Sequence, residues 1–144
     1  MTSRTTFFAN GCFDVLHSGH FAFLRFCLET ADKNNGILLL GIDSDSKISL
    51  DKGRASIFSF KERKEQLLTL FSEIAGIFPF DNSKDLKDLI QYPESIILIK
   101  GKEWEGNVIG EEYADKVIYY ERRRIFPSTS EIIRRITNAN KKRI

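Results

Sequence analysis

At 144 residues, with 42% hydrophobic and 29% charged side chains, the chain has the length and balance of one globular domain, which excludes disorder as its main state. No run approaches the roughly 18 apolar residues of a membrane helix, and the opening MTSRTTFFANGC lacks the order of a secretory leader. Two cysteines without repeated spacing exclude a disulfide scaffold, so the expectation is one cytoplasmic domain over 1–144 with no membrane contact.

Thr5 to Asn10 predicts the first strand. Asn10-Gly11-Cys12-Phe13-Asp14-Val15-Leu16-His17-Ser18-Gly19-His20 follows, and a helix opens near Ser18. The unpaired N–H groups and positive dipole end of such an opening favour an anion. Gly11 and Gly19 let the backbone come close to a bulky polyphosphate, and His17 and His20 can donate hydrogen bonds to oxygens that gain charge. Local hydrogen bonding at the helix start is the plain alternative for the two imidazoles. A metal is disfavoured, because they are the only histidines and the cysteines form no CxxC pair. Cys12 has no paired base and is not read as a nucleophile, while Cys27 is expected to be a buried thiol.

The first helix carries Phe21, Leu24, Leu28 and Ala31 on one face and stops at Asn34-Asn35-Gly36. Phe23 and Phe26 lie off that stripe, and core packing is the simpler role for them. Ile37 to Ile42 predicts a strand buried on both faces, and the polar stretch from Asp43 to Ser56 a mobile loop. Phe60, Leu67, Leu68 and Phe71 predict a helix, Gly76 to Phe80 a third strand, and Ser83 the cap of a short helix using Leu86, Leu89 and Ile90. Ser95 to Ile99 and Val117 to Tyr120 predict two further strands. Ser128-Thr129-Ser130-Glu131 has capping-box spacing before a last helix with Ile132, Ile133 and Ile136. Residues 122–144 hold eight Lys or Arg against the single acid Glu131, and for Lys141, Lys142 and Arg143, in a basic tail over 136–144, a solvated helix end is expected. Strands alternating with helices predict a parallel sheet, whose ligands bind beyond the carboxyl ends of the strands.

The NGCFDVLHSGH segment resembles the HxGH motif of the cytidylyltransferase-like nucleotidyltransferases, most of all the branch that adenylylates heptose phosphates. The resemblance runs from about Phe7 to Ile136. It implies an α/β fold, a single Rossmann-like three-layer domain with a five-stranded parallel sheet. It also implies nucleotidyl transfer from a nucleoside triphosphate, with Mg²⁺, to a phosphorylated sugar or polyol, releasing pyrophosphate. His17 and His20 would meet the α-phosphate and bridging oxygens. Lys52, in Lys52-Gly53-Arg54, and Arg63 resemble the family's contacts to the leaving pyrophosphate. Asn10, Gly11, Cys12, Phe13 and Gly19 would line the nucleotide site, while Arg123, Ser128 and Thr129 would close over the phosphates. Asp14 is placed at the substrate, with a local turn cap as its simpler role.

Lys100-Gly101 looks like the heptose phosphate adenylyltransferases, whereas Trp104-Glu105-Gly106 is similar to the glycerol phosphate cytidylyltransferases. Lys102 stands where both branches favour an acid, and Phe126-Pro127 where the family commonly has glycine before the serine. ATP with a heptose phosphate is the preferred pair, CTP with a glycerol phosphate the alternative, and Trp104 is placed at the substrate. A non-catalytic nucleotide sensor or nucleic-acid module is the reading from another class, disfavoured because RNA-binding aromatic and glycine patterns are missing. Relatives are often dimers, and the additional phenylalanines of the first helix are compatible with a homodimer.

Overall fold

A computed structural model describes residues 4–123 and 126–141. In chain order it contains β1 (Thr5–Gly11), α1 (Ser18–Lys33), β2 (Gly36–Asp43), α2 (Asp45–Lys52), α3 (Phe60–Leu70), β3 (Gly76–Phe80), α4 (Ser83–Gln91), β4 (Ile96–Gly101), β5 (Lys116–Tyr120) and α5 (Thr129–Lys141). The strands form one parallel sheet in the order β3-β2-β1-β4-β5. Lys142 and Arg143 of the basic tail lie outside the described residues.

Period-two alternation in β1 divides the core. Phe7 and Ala9 face α1 and α3, where Leu24, Cys27, Ala31 and Leu67 are buried against Leu38, Leu40 and Ile42 of β2. Phe8 faces the other way and packs with Phe80, Ile96, Leu98 and the α4 residues Leu86 and Ile90. Each fully buried side chain of this kind contributes roughly 1.5–3 kcal/mol, so helices on both faces hold the strand ends rigidly. Phe23 and Phe26, off the main stripe of α1, pack on Tyr120 at 5.3 and 5.1 Å between ring centroids.

The chain leaves β1 toward β2 and β3, then crosses back to β4 and β5 on the other side. The direction of winding therefore reverses between β1 and β4. A crevice opens there at the carboxyl ends, between Asn10-Gly11 and Lys100-Gly101.

Two local expectations are corrected. The stretch expected to be a loop contains α2, capped by Ser44 Oγ accepting the Lys47 N–H at 3.1 Å and ended by Gly53 at φ 64°. Its apolar residues are only Ile48, which is buried, and Leu50, which is exposed, so no stripe marked it. Asn82, not Ser83, caps α4, its Oδ1 accepting the Asp85 N–H at 2.9 Å. Both residue types suit a cap, and composition does not choose between neighbours.

Candidate active site

The crevice holds a cavity of about 300 Å³. The loop after β1 and the start of α1 form one wall with Asn10, Gly11, Cys12, Phe13, His17, Gly19 and His20. Lys52 enters from the last turn of α2, Lys100, Gly101, Glu103 and Trp104 from the end of β4, and Ser128, Thr129 and Ser130 from the start of α5.

His17 is the N-cap of α1, its backbone extended at φ −149°. Its Nδ1 accepts the Gly19 N–H at 3.0 Å, and His20 Nδ1 accepts the His17 N–H at 3.3 Å. Imidazoles thus fill the reciprocal roles that Ser and Glu take in a capping box. With both Nδ1 atoms accepting, the neutral rings carry their protons on Nε2 and remain donors there. The two rings lie 4.0 Å apart between centroids, and Phe13 packs on His20 at 5.4 Å. Burial pushes His20 down to about 3, helped by the positive charge of His17, Arg122 and Lys52. His17 is lowered by burial and by Arg122. Local capping thus orients the rings and leaves their outer nitrogens as donors.

Gly19 is required sterically, since a Cβ there would sit 2.8 Å from Cε1 of the His17 ring. Phe13 adopts φ 51°, a left-handed conformation disfavoured for a bulky side chain. The bonds around it explain how that conformation is kept. Asp14, buried beneath the loop, accepts the N–H groups of Ile57 and Phe58 at 2.9 and 2.8 Å and Arg54 Nη1 at 3.2 Å. It is neither at the cavity nor a local turn cap, but a clip to residues 54–58.

Arg63 also departs from its expected place. Its side chain is fully buried on α3 and does not line the cavity. Nε donates to Phe58 O at 3.1 Å, Nη1 to Cys12 O at 2.9 Å and Asp43 O at 2.7 Å, and Nη2 to Asp45 Oδ1 at 2.7 Å. Donors committed in this way brace the motif loop from below and do not reach a polyphosphate.

Lys100 donates from Nζ to Asn10 Oδ1 at 3.1 Å and lies 5.3 Å from the ring centre of half-exposed Trp104. Burial lowers its pKa. Lys102 turns away, pairing with Glu105 at 2.8 Å and lying over Tyr119, so the acid that reaches the cavity is Glu103. Burial raises the Cys12 thiol, in keeping with a residue that is not a nucleophile.

At the far wall, Ser128 Oγ accepts the Glu131 N–H at 3.1 Å, and Thr129 Oγ1 donates to Val15 O at 3.2 Å. The second bond sets the opening of α5 beside the opening of α1. Glu131 does not complete the capping box toward Ser128 but bonds Arg135 at 2.9 Å. Arg122 and Arg123 are both exposed, and of the two Arg122 lines the cavity while Arg123 does not. Sequence reasoning missed Arg122, Glu103, Phe23, Ile99 and Tyr120 as lining residues. The lysine-glycine turn could have flagged Glu103; nothing in the local pattern separates Arg122 from Arg123.

Among the described residues three cations, Lys52, Lys100 and Arg122, thus face one acid, Glu103, around two neutral imidazoles and two helix openings. That arrangement suits a polyanion.

Comparison with known proteins agrees with this geometry. The Bifunctional protein HldE of Helicobacter pylori is 36% identical over 131 residues, covering 90% of this chain and 27% of that protein. Its counterpart in Campylobacter jejuni is 32% identical over 130 residues, with the same two coverages, 90% and 27%. The chain therefore spans about a quarter of the length of these curated relatives. The crystal structure of a lipopolysaccharide core biosynthesis protein from Thermoplasma volcanium superposes with a TM-score of 0.59 at 19% identity, over 84% of this chain and 99% of that one, and shares the fold. No helix of the described residues is long and apolar enough to cross a membrane. The family model described as Cytidylyltransferase-like matches residues 8–136, and on that match, which contains every lining residue of the cavity, the chain belongs to the cytidylyltransferase-like family of nucleotidyltransferases.

Proposed function

We propose that the chain transfers a nucleotidyl group from a nucleoside triphosphate to a phosphorylated sugar, with ATP and a heptose phosphate as the preferred pair and the cytoplasm as its setting. The observation that carries this reading is the meeting of two helix openings and two Nε2–H imidazoles in one cationic cavity. A phosphate oxygen of the acceptor attacks the α-phosphorus, the new P–O bond forms, and the bond to the β-phosphate oxygen breaks. Pyrophosphate leaves with the electron pair. A phosphate dianion is already nucleophilic, so no side chain has to remove a proton, and the protein contributes positioning and charge. His17 and His20 donate to the α-phosphate and the bridging oxygen, Lys52 steadies the pyrophosphate, and Ser128 and Thr129 close over the chain of phosphates. Lys100, Asn10 and Gly101 hold the nucleotide near Trp104.

The resemblance implies magnesium, which would arrive bound to the nucleotide. Among the described residues no three His, Cys, Asp or Glu side chains gather as a metal site, and Glu103 is the carboxylate of the cavity wall. That donor set fits an ion that keeps mostly phosphate and water ligands, with Glu103 as the protein group that would hold it. Such an ion would draw charge from the phosphates.

The alternative, CTP with a glycerol phosphate, is favoured by Trp104, whose half-exposed ring at the cavity edge belongs to the Trp-Glu-Gly segment. A pyrophosphate-release assay crossing four nucleoside triphosphates with phosphorylated heptoses, other sugars and polyols tests both. ATP with a heptose phosphate is expected to lead. Release with CTP and glycerol phosphate alone selects the alternative, and no release with any pair returns the chain to nucleotide sensing or nucleic-acid binding.

A further inference from the structure

Three consecutive arginines, Arg122, Arg123 and Arg124, follow Glu121 after β5; the family resemblance assigns the phosphate contact to Arg123, and Arg124 lies outside the described residues. The structure separates the first two: Arg122 lines the cavity, and Arg123 does not. Arg122 Nη2 donates to Pro127 O at 2.7 Å and to Phe126 O at 3.3 Å, the carbonyls just ahead of the Ser128 cap. Pro127 in this turn has no N–H with which to brace itself. Phe126 in turn lies over the start of α1, its Cβ 3.3 Å from where a Cβ on Gly19 would be. Arg122 therefore grips the turn that decides where the opening of α5 stands relative to α1. Both of its bonds to described residues leave from Nη2, and a guanidinium carries five N–H donors in a planar fork. Among the described residues Nε and Nη1 have no acceptor, which leaves their donors to an anion. Its charge also falls on both imidazoles.

We propose that Arg122, in place of Arg123, binds the triphosphate in this chain, and that it positions the α5 opening through the Phe126 and Pro127 carbonyls. The assignment rests on the nucleotidyl-transfer reading for its ligand.

The test compares the full chain with Arg122→Gln, Arg122→Lys and Arg123→Gln. Inorganic triphosphate and ATP are titrated by calorimetry, and the imidazole resonances are followed against pH without ligand. Arg122→Gln is expected to weaken binding of both probes tenfold or more, Arg122→Lys to recover part of that loss through its charge, and Arg123→Gln to stay within twofold of the parent. With only two histidines in the chain, the NMR arm is direct. His17 is flanked by His20 from α1 and by Arg122 after β5, so its midpoint is expected to rise in Arg122→Gln and to stay unmoved in Arg123→Gln. Parent-like binding in Arg122→Gln, or an unmoved His17 midpoint, overturns the proposal. If Arg122→Gln does not fold, Arg122→Lys decides: binding weaker than the parent's supports the clamp, and parent-like binding beside a weakened Arg123→Gln sinks it. A parent protein that binds inorganic triphosphate but releases pyrophosphate from no nucleotide removes the nucleotidyl-transfer reading and leaves the arginine assignment to its own binding data.

Discussion

The two helix openings that meet at the cavity are held by opposite means. At α1 the motif loop rests on buried groups: Arg63 spends its donors on three backbone carbonyls and Asp45, and Asp14 accepts two backbone N–H groups and Arg54. At α5 the helix buries none of its described residues, and its first turn is fastened by Thr129 to Val15 O and by the Arg122 grip. Bonds made by the buried side chains of Arg63 and Asp14 resist opening, whereas the exposed Arg122 grip opens more easily. The same kind of helix opening is thus rigid on one side of the cavity and adjustable on the other.

Breaking the rigid side should have the largest effect. Arg63→Ala leaves Cys12 O, Asp43 O and Phe58 O without their donor and is expected to destabilise the fold by about 3–5 kcal/mol, because each acceptor left unpaired costs about 1–3 kcal/mol. Denaturant unfolding measures this. An Arg63→Ala protein of parent stability that merely binds triphosphate less well would put Arg63 back at the polyphosphate and dissolve the contrast.

Next in size are the imidazoles. His17→Ala and His20→Ala should each lower turnover about a hundredfold to a thousandfold, equivalent to about 3–4 kcal/mol of transition-state stabilisation. Either variant releasing pyrophosphate at the parent rate while folded would remove that residue from the chemistry.

The pH dependence sharpens the comparison without a ligand. His20 titrates near 3 in the fold and near 6.5 when unfolded, so between those values the unfolded chain binds the additional proton. Stability from this group is therefore intact above pH 6.5 and falls as pH drops toward 3, with a slope approaching about 1.4 kcal/mol per pH unit. His20→Gln should flatten that part of the curve. An unchanged acid limb would mean that His20 is not buried as described.

Thr129→Val probes the adjustable side and should change least. Losing the bond to Val15 O is expected to lower stability by about 1 kcal/mol, while the KM for the triphosphate rises. A loss as large as that of Arg63→Ala would show α5 to be as rigidly held as α1.

Much of the site was legible in the chain because its signals are local. Asn10 through His20 carries both the glycine that the His17 ring demands and the histidines that cap their own helix, within one turn. Alternating apolar runs likewise announced the five parallel strands to within a residue or two at each end. Residues whose meaning depends on a distant partner read differently. Arg63 resembled a phosphate ligand, yet its acceptors at Cys12, Asp43 and Asp45 come from segments 51, 20 and 18 residues away. Asp14 meets residues more than 40 positions downstream. The choice between Arg122 and Arg123 depends on how the Phe126-Pro127 turn folds back, and α2 had no apolar stripe to declare it. By itself the sequence determined which elements form and which residue types stand at the strand ends, since periodicity and capping act over a few residues. Tertiary structure alone decided which cations reach the cavity and which are consumed beneath it, because a guanidinium goes where the sheet places its acceptors.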